Sequence, residues 1–308
     1  MKKNKKQKLI IAIMLMLILV ALAMIWIIHR GNKINEVREQ EALVQAQEEE
    51  AQKQAEEEAA AAKAQQEEDI ASHIYSHRGS AGPEEHSFKA YDAAIEAGSR
   101  NIEQDIVISS DGVLYVSHDL NALSMTGYNG MYEYIGSGTI DELRTEAGNP
   151  VLRLSEVFDK YKKDINYVIE LKPNTDACID AFEALVDDYG YEDVITVQSL
   201  YPEVLEKLEE KYPDMPKIYV CWSQADFDYV VDKPYVDIIS VKAPAGLMTE
   251  SNCSIAHENG KEFSAWTLNT EDEIKRAIDM GVDSYFTDDT PLAFSIEKDY
   301  GLKKRGGQ

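Results

Sequence analysis

A chain of 308 residues, 44% of them hydrophobic, has enough apolar material for one large packed domain or two small ones. Its formal charge of −25 excludes a nucleic-acid partner, because phosphate binding demands an excess of Lys and Arg. Cys178, Cys221 and Cys253 are odd in number and far apart, with no CxxC pair and no zinc set, so they are expected as free, buried thiols.

The charge is unevenly placed. Residues 1–30 carry Lys2, Lys3, Lys5, Lys6, Lys8 and Arg30 and no acid. Residues 9–28 (LIIAIMLMLILVALAMIWII) are free of charge, and as a helix they span roughly 30 Å, the thickness of a hydrocarbon core. Trp26 suits an interfacial aromatic position. The run is longer than the apolar part of a signal peptide, and the small-x-small set of Ala21 and Ala23 lies inside it, so an uncleaved anchor is expected. The lysines before it predict a cytoplasmic tail at residues 1–8, an anchor at 9–28, and everything beyond on the outer side of the cell membrane.

Residues 29–71 form a Glu-, Gln- and Ala-rich stalk, with strong helix formers but no sustained heptad seam. A solvated helical or partly disordered spacer is predicted. From residue 72 to 308 the texture changes to short β-type runs alternating with amphipathic helical runs. The β-type runs are IYSHRG, NIEQDIVIS, INYVIELK, VITVQS, KIYVCW, VDIISVKA, EFSAWTLN and SYFTDD. VLYVSHD, after an Asp111–Gly112 turn, reads as an extension paired with the second strand. Eight βα units over about 230 residues predict one parallel α/β domain closed as a (β/α)8 TIM barrel.

In such a barrel the reactive side chains sit at the C-terminal ends of strands. The first strand ends in His77, Arg78 and Gly79, where the guanidinium offers a fork of donors suited to phosphate oxygens. Glu103 and Asp105, two apart on the second strand, face the same way and repel each other unless a cation or proton intervenes. His118 and Asp119 close VLYVSHD, and the carboxylate can orient the imidazole. Glu170 ends the third parallel strand and can complete a three-carboxylate site, with Lys172 on the same face. Oxygen donors of this kind suit Mg2+ or Ca2+ better than Zn2+.

Taken together, HRG, Glu85–His86–Ser87, Glu103-x-Asp105, His118–Asp119 and Glu170-x-Lys172 on successive strand ends resemble the glycerophosphodiester phosphodiesterase family over residues 74–292. PVLRLSEVF, VQS, AWTLN and GVDSYFTDDTP are similar to its later landmarks. The resemblance implies metal-dependent hydrolysis of a glycerophosphodiester to sn-glycerol 3-phosphate and an alcohol. It implies Glu103, Asp105 and Glu170 as ligands of a divalent cation, His77 as base, His118 as acid, and Arg78 and Lys172 on the phosphate. Trp266, in AWTLN, packs either against the glycerol carbons or in the core. Two departures stand out. Glu84 occupies a usual proline position, with Pro83 one place earlier, and Ser124 stands where an arginine is expected, while Thr126 is retained. The Tyr- and Gly-rich segment from 120 to 150 differs freely, and loops of this kind set substrate choice. Two other functions stay open on the sequence: a sphingomyelinase D-like phospholipase or lyase, and a non-catalytic surface-binding barrel. The expected partners are a phosphodiester from lipid or wall polymer and the membrane itself.

Overall fold

A computed structural model describes residues 2–305 apart from 81 and 83, and side chains from residue 9 onward. Pro83 and the side chains of the N-terminal lysines therefore lie outside the described residues. The chain divides into a unit ending at Gln65 and a unit beginning at Gln66.

The first unit is helical within α1 (Lys2–Ser72), as Ala, Glu, Gln and Lys dictate in the absence of proline. Its most apolar 18-residue stretch has a mean hydropathy of 3.1, and none of that stretch is buried. Beyond the apolar run, pairs four residues apart such as Gln52–Glu56 (3.2 Å) and Lys53–Glu57 (3.8 Å) line the helix surface. Leu43 and Val44 are exposed, and no apolar stripe runs along this part.

In the second unit the strands are β1 (Ile74–Ser76), β2 (Asn101–Ile108), β3 (Leu114–Val116), β4 (Asn166–Leu171), β5 (Ile195–Ser199), β6 (Lys217–Cys221), β7 (Ile238–Lys242), β8 (Glu262–Trp266) and β9 (Ser284–Thr287). Eight of them are parallel and close on themselves, because β1 pairs with both β2 and β9. Strand β3 turns back through Gly112 (φ 84°) and runs antiparallel to β2, Val107 opposite Tyr115. The eight βα units expected from the sequence are thus present in a closed barrel. Helix starts follow from local chemistry: Ser87, Thr175, Ser223, Thr249, Thr270 and Asp289 each accept a first-turn backbone N–H.

Alternation along each strand divides the core. Ile102 and Ile106 of β2, Tyr167, Ile169 and Leu171 of β4, and Ile239 and Val241 of β7 point outward into the layer shared with the helices. The opposite set, Tyr75, Val168, Ile218, Ile238 and Phe286, packs as a separate cluster that floors the barrel interior. Above that floor the inward positions are polar, and the site is built there. The 120–150 excursion has its own small core of Val107, Tyr115, Ala122, Tyr132, Ile135, Ile140 and Val151. Cys178, Cys221 and Cys253 are free and buried, as the sequence predicts.

The last residues of α1 belong to the barrel unit. Ile70 and Ala71 are buried, and the Ala71 carbonyl accepts a 2.9 Å bond from Asn101 Nδ2 on β2. Starting the domain at residue 72 discards this packing, about 3 kcal/mol for one isoleucine and one hydrogen bond. A fragment of residues 66–308 is expected to melt roughly 6–12 °C above one of residues 72–308. Equal melting temperatures in a calorimetric comparison would contradict this boundary.

Candidate active site

The turn after β1 is held in an unusual shape by the site it serves. Arg78 and His86 both adopt left-handed backbone, φ 56° and 54°, a conformation costly for residues with side chains. Two bonds compensate: Arg78 N–H donates to Glu103 Oε2 at 2.7 Å, and His86 N–H donates to the Arg78 carbonyl at 3.0 Å. Between them Gly79 (φ 99°) lies so close to the helix Phe88–Glu96 that a Cβ would sit 2.6 Å from that of Ala90. The fold admits only glycine there.

Glu103 and Asp105 of β2 and Glu170 of β4 lie in inward register, and all three are buried. Asp105 is the hub. Its Oδ2 meets His86 Nε2 at 2.9 Å and Arg78 Nε at 3.5 Å, and its Oδ1 meets Lys172 Nζ at 3.1 Å. Lys172 also reaches Glu170 Oε1 at 2.9 Å. Gln198 on β5 places its Nε2 3.3 Å from Glu103 and 3.5 Å from Glu170.

These contacts divide the carboxylates electrostatically. Burial raises all three, but the His86 bond and the Lys172 and Arg78 charges hold Asp105 well below the usual carboxylate range. Burial and the neighbouring Asp105 charge push Glu103 well above it, and push Glu170 up to about 7. Lys172 keeps its proton more firmly than an ordinary lysine, because the Asp105 and Glu170 charges outweigh its burial. A cluster in which burial and like charge force carboxylates to keep protons is one that a divalent cation relieves. His86, Glu103 and Asp105 each offer a ligand atom within 4.8 Å of the others. Buried oxygen donors with one imidazole nitrogen fit such an ion. Glu170, placed in the metal set by the sequence resemblance, borders this group and is engaged by Lys172, whereas His86 stands inside it.

The two candidate histidines approach from different strands, each anchored through Nδ1 by a carboxylate. His77 meets Asp288 Oδ1 at 2.7 Å, and Asp288 is fixed by Asn269 Nδ2 at 2.6 Å. His118 meets Asp119 Oδ1 at 2.8 Å, and Ser124 Oγ donates to Asp119 Oδ2. Ser124, the residue where arginine was expected, thus steadies the carboxylate that steadies the imidazole. Burial lowers the His118 pKa, opposed by the Asp105 charge. Burial raises that of Asp288, but the bond and charge of His77 outweigh it and leave the group low. The other departure is equally placed: Glu84 Oε2 accepts from Thr145 Oγ1 (2.5 Å) and Asn149 Nδ2 (2.6 Å), tying the excursion to the turn after β1. Arg78 also bonds Glu85 at 3.0–3.1 Å, while its buried Nε makes no hydrogen bond and faces the cluster. Trp266 is half-buried at the end of β8, donating Nε1–H to the Ser240 carbonyl at 3.2 Å.

Asp288, Asn269 and Gln198 were not singled out by sequence reasoning. The only signals were the doubled acid in SYFTDD and the strand-end polar residues of AWTLN and VQS.

A buried acid–cation cluster at the C-terminal mouth of a closed parallel barrel defines the class as a barrel enzyme. Residues 77–292 match the model of the glycerophosphoryl diester phosphodiesterase family, and the chain belongs to that family. A glycerophosphodiester phosphodiesterase of Bacillus subtilis is 26% identical over 255 residues, spanning 73% of this chain and 86% of the relative. A human lysophospholipase D is 25% identical over 268 residues, 71% of this chain and 83% of its own. An Oleispira antarctica phosphodiesterase, solved in complex with the product sn-glycerol-3-phosphate, superposes with a TM-score of 0.64 at 18% identity, covering 76% of this chain and 99% of that one.

The raised carboxylates give a pH signature in chelator. A carboxyl whose folded pKa is raised contributes stability that is full below its ordinary value and lost as pH rises through the folded value. For Glu170 the window runs from about 4.5 to about 7, worth on the order of 3 kcal/mol, and Glu103 extends it upward. The melting temperature of the metal-free protein is expected to fall between pH 5 and pH 8, with a shallower fall in Glu170→Gln. A slope that Glu170→Gln leaves intact sinks this account.

Proposed function

We propose that the protein hydrolyses glycerophosphodiesters to sn-glycerol 3-phosphate and an alcohol, in a metal-dependent reaction at the outer face of the cell membrane. The observation carrying this reading is the pair of carboxylate-anchored histidines beside a buried acid cluster edged by Arg78 and Lys172.

Glu103 and Asp105, with Glu170 or His86 completing the set, would hold Mg2+ or Ca2+, which when bound neutralises charge on the phosphoryl oxygens. Arg78 and Lys172 stabilise the same charge from their own side. Arg78 Nε, buried and without a hydrogen bond, is a donor available for a phosphate oxygen. Each histidine commits Nδ1–H to its carboxylate and so presents Nε2 to the reaction. His77 takes the proton of the nucleophile, and His118 delivers one to the departing alkoxide. Asp288 and Asp119 stabilise each imidazole when it is charged. Trp266 supplies an apolar wall for the substrate's carbons.

The same reading assigns residues 1–8 to a cytoplasmic tail, 9–28 to a membrane anchor, and the Glu-, Gln- and Ala-rich stretch that follows to a spacer. The catalytic barrel then begins near Gln66. Support comes from the uncharged run of twenty residues and the lysines preceding it. Protease added to intact cells is expected to remove the barrel and spare the N-terminus. A secreted form beginning near residue 24 would establish cleavage instead.

Substitution separates the histidines. His77→Ala and His118→Ala are each expected to lower kcat by roughly 10²–10⁴-fold on a poor leaving group. On a nitrophenyl ester, His118→Ala should recover most of its activity and His77→Ala should not. The opposite pattern exchanges the two roles, and full activity in both variants removes them from the mechanism.

A further inference from the structure

The half of the barrel mouth across from the carboxylates holds a second constellation. Trp222 directly follows β6, Lys242 ends β7 and Trp266 ends β8. Each continues the inward register of its strand, above Ile218, Ile238 and Ser264 respectively. The two indoles meet edge to face, centroids 5.1 Å apart at 65°. The bond from Trp266 to Ser240 fixes one ring, and Asp226 Oδ2 accepts the Trp222 backbone N–H at 3.1 Å. Lys242 Nζ stands 3.6 Å from the centroid of Trp222 and 5.5 Å from that of Trp266.

No carboxylate among the described residues pairs with Lys242. At the opposite side of the mouth, by contrast, Lys172 is paired with both Glu170 and Asp105. Trp222 is 47% exposed, so the platform is open to solvent. Aromatic faces alone would welcome a trimethylammonium group. Here a lysine already covers the face of Trp222, repels a cationic head group, and leaves its own charge available to an anion. Strand β7 stands across the closed sheet from β2, so a substrate engaged by Arg78 and Lys172 reaches Lys242 with a different group.

We propose that Lys242, on its Trp222–Trp266 platform, binds a second phosphate carried by the substrate's alcohol, so that preferred substrates are glycerophosphodiesters bearing a further phosphate. This specificity rests on the glycerophosphodiester reading above and adds a residue that selects among such substrates. The full-length protein is assayed with glycerophosphoglycerol, with the same compound carrying a terminal phosphate, and with glycerophosphocholine. The terminally phosphorylated compound is expected to have a kcat/KM about tenfold above that of glycerophosphoglycerol, expressed in KM, with glycerophosphocholine the poorest of the three. In Lys242→Met that ratio falls to about one, and in Lys242→Arg it persists. A ratio near one in the native protein, a ratio unchanged in Lys242→Met, or a preference for glycerophosphocholine overturns the proposal. Calorimetric titration of the two glycerol compounds, which needs no turnover, must show the same Lys242-dependent difference in Kd. A protein that cleaves none of the three overturns the glycerophosphodiester reading, and the titration then decides the Lys242 site alone.

Discussion

Three carboxylates inside a barrel cannot all be ionised without positive charge among them, and much of the mouth is arranged around that constraint. Asp105 takes the largest share, with His86, Lys172 and Arg78 all directed at it. Glu103 is left to the Arg78 backbone N–H and the Gln198 amide, and Glu170 to Lys172 and the same amide. Even the left-handed backbone of Arg78 and His86 is explained by what those residues deliver to the cluster. A site so short of positive charge is prepared for a cation and for cationic side chains that can turn to an incoming phosphate.

Strand alternation lets one short segment do two tasks. On β2, Ile102 and Ile106 cement the helical layer while Glu103 and Asp105 between them build the cluster. On β4, Tyr167, Ile169 and Leu171 do the former and Glu170 the latter. A shift of register by one residue would place carboxylates against helices and isoleucines in the mouth, so fold and chemistry are specified by the same pattern.

That pattern explains what was legible in the sequence. Eight βα units, the Asp111–Gly112 turn, and the convergence of Glu103, Asp105, Glu170 and Lys172 follow from period-two alternation and strand ends, which are local properties. Asp288 escaped because its value lies in touching His77 across the closure of the barrel, a relation spanning about two hundred residues, and Asn269 because its value lies in fixing Asp288 from the neighbouring strand end. His86 was visible only through family likeness: nothing local indicates that a turn histidine will be folded back onto Asp105. Likewise Ile70 and Ala71 carry the same helix-forming texture as the residues before them, and only the barrel's packing claims them.

The contact of Glu84 with Thr145 and Asn149 has a consequence for how such enzymes diversify. Consecutive residues 84, 85 and 86 grip, in turn, the excursion, the Arg78 guanidinium and Asp105. The excursion is therefore mechanically coupled to the turn that carries the phosphate-facing arginine. Grafting it onto a relative with proline in place of Glu84 would transplant a loop without its mooring. Exchange of specificity between family members then requires moving the two pieces together, although sixty residues of barrel separate them along the chain.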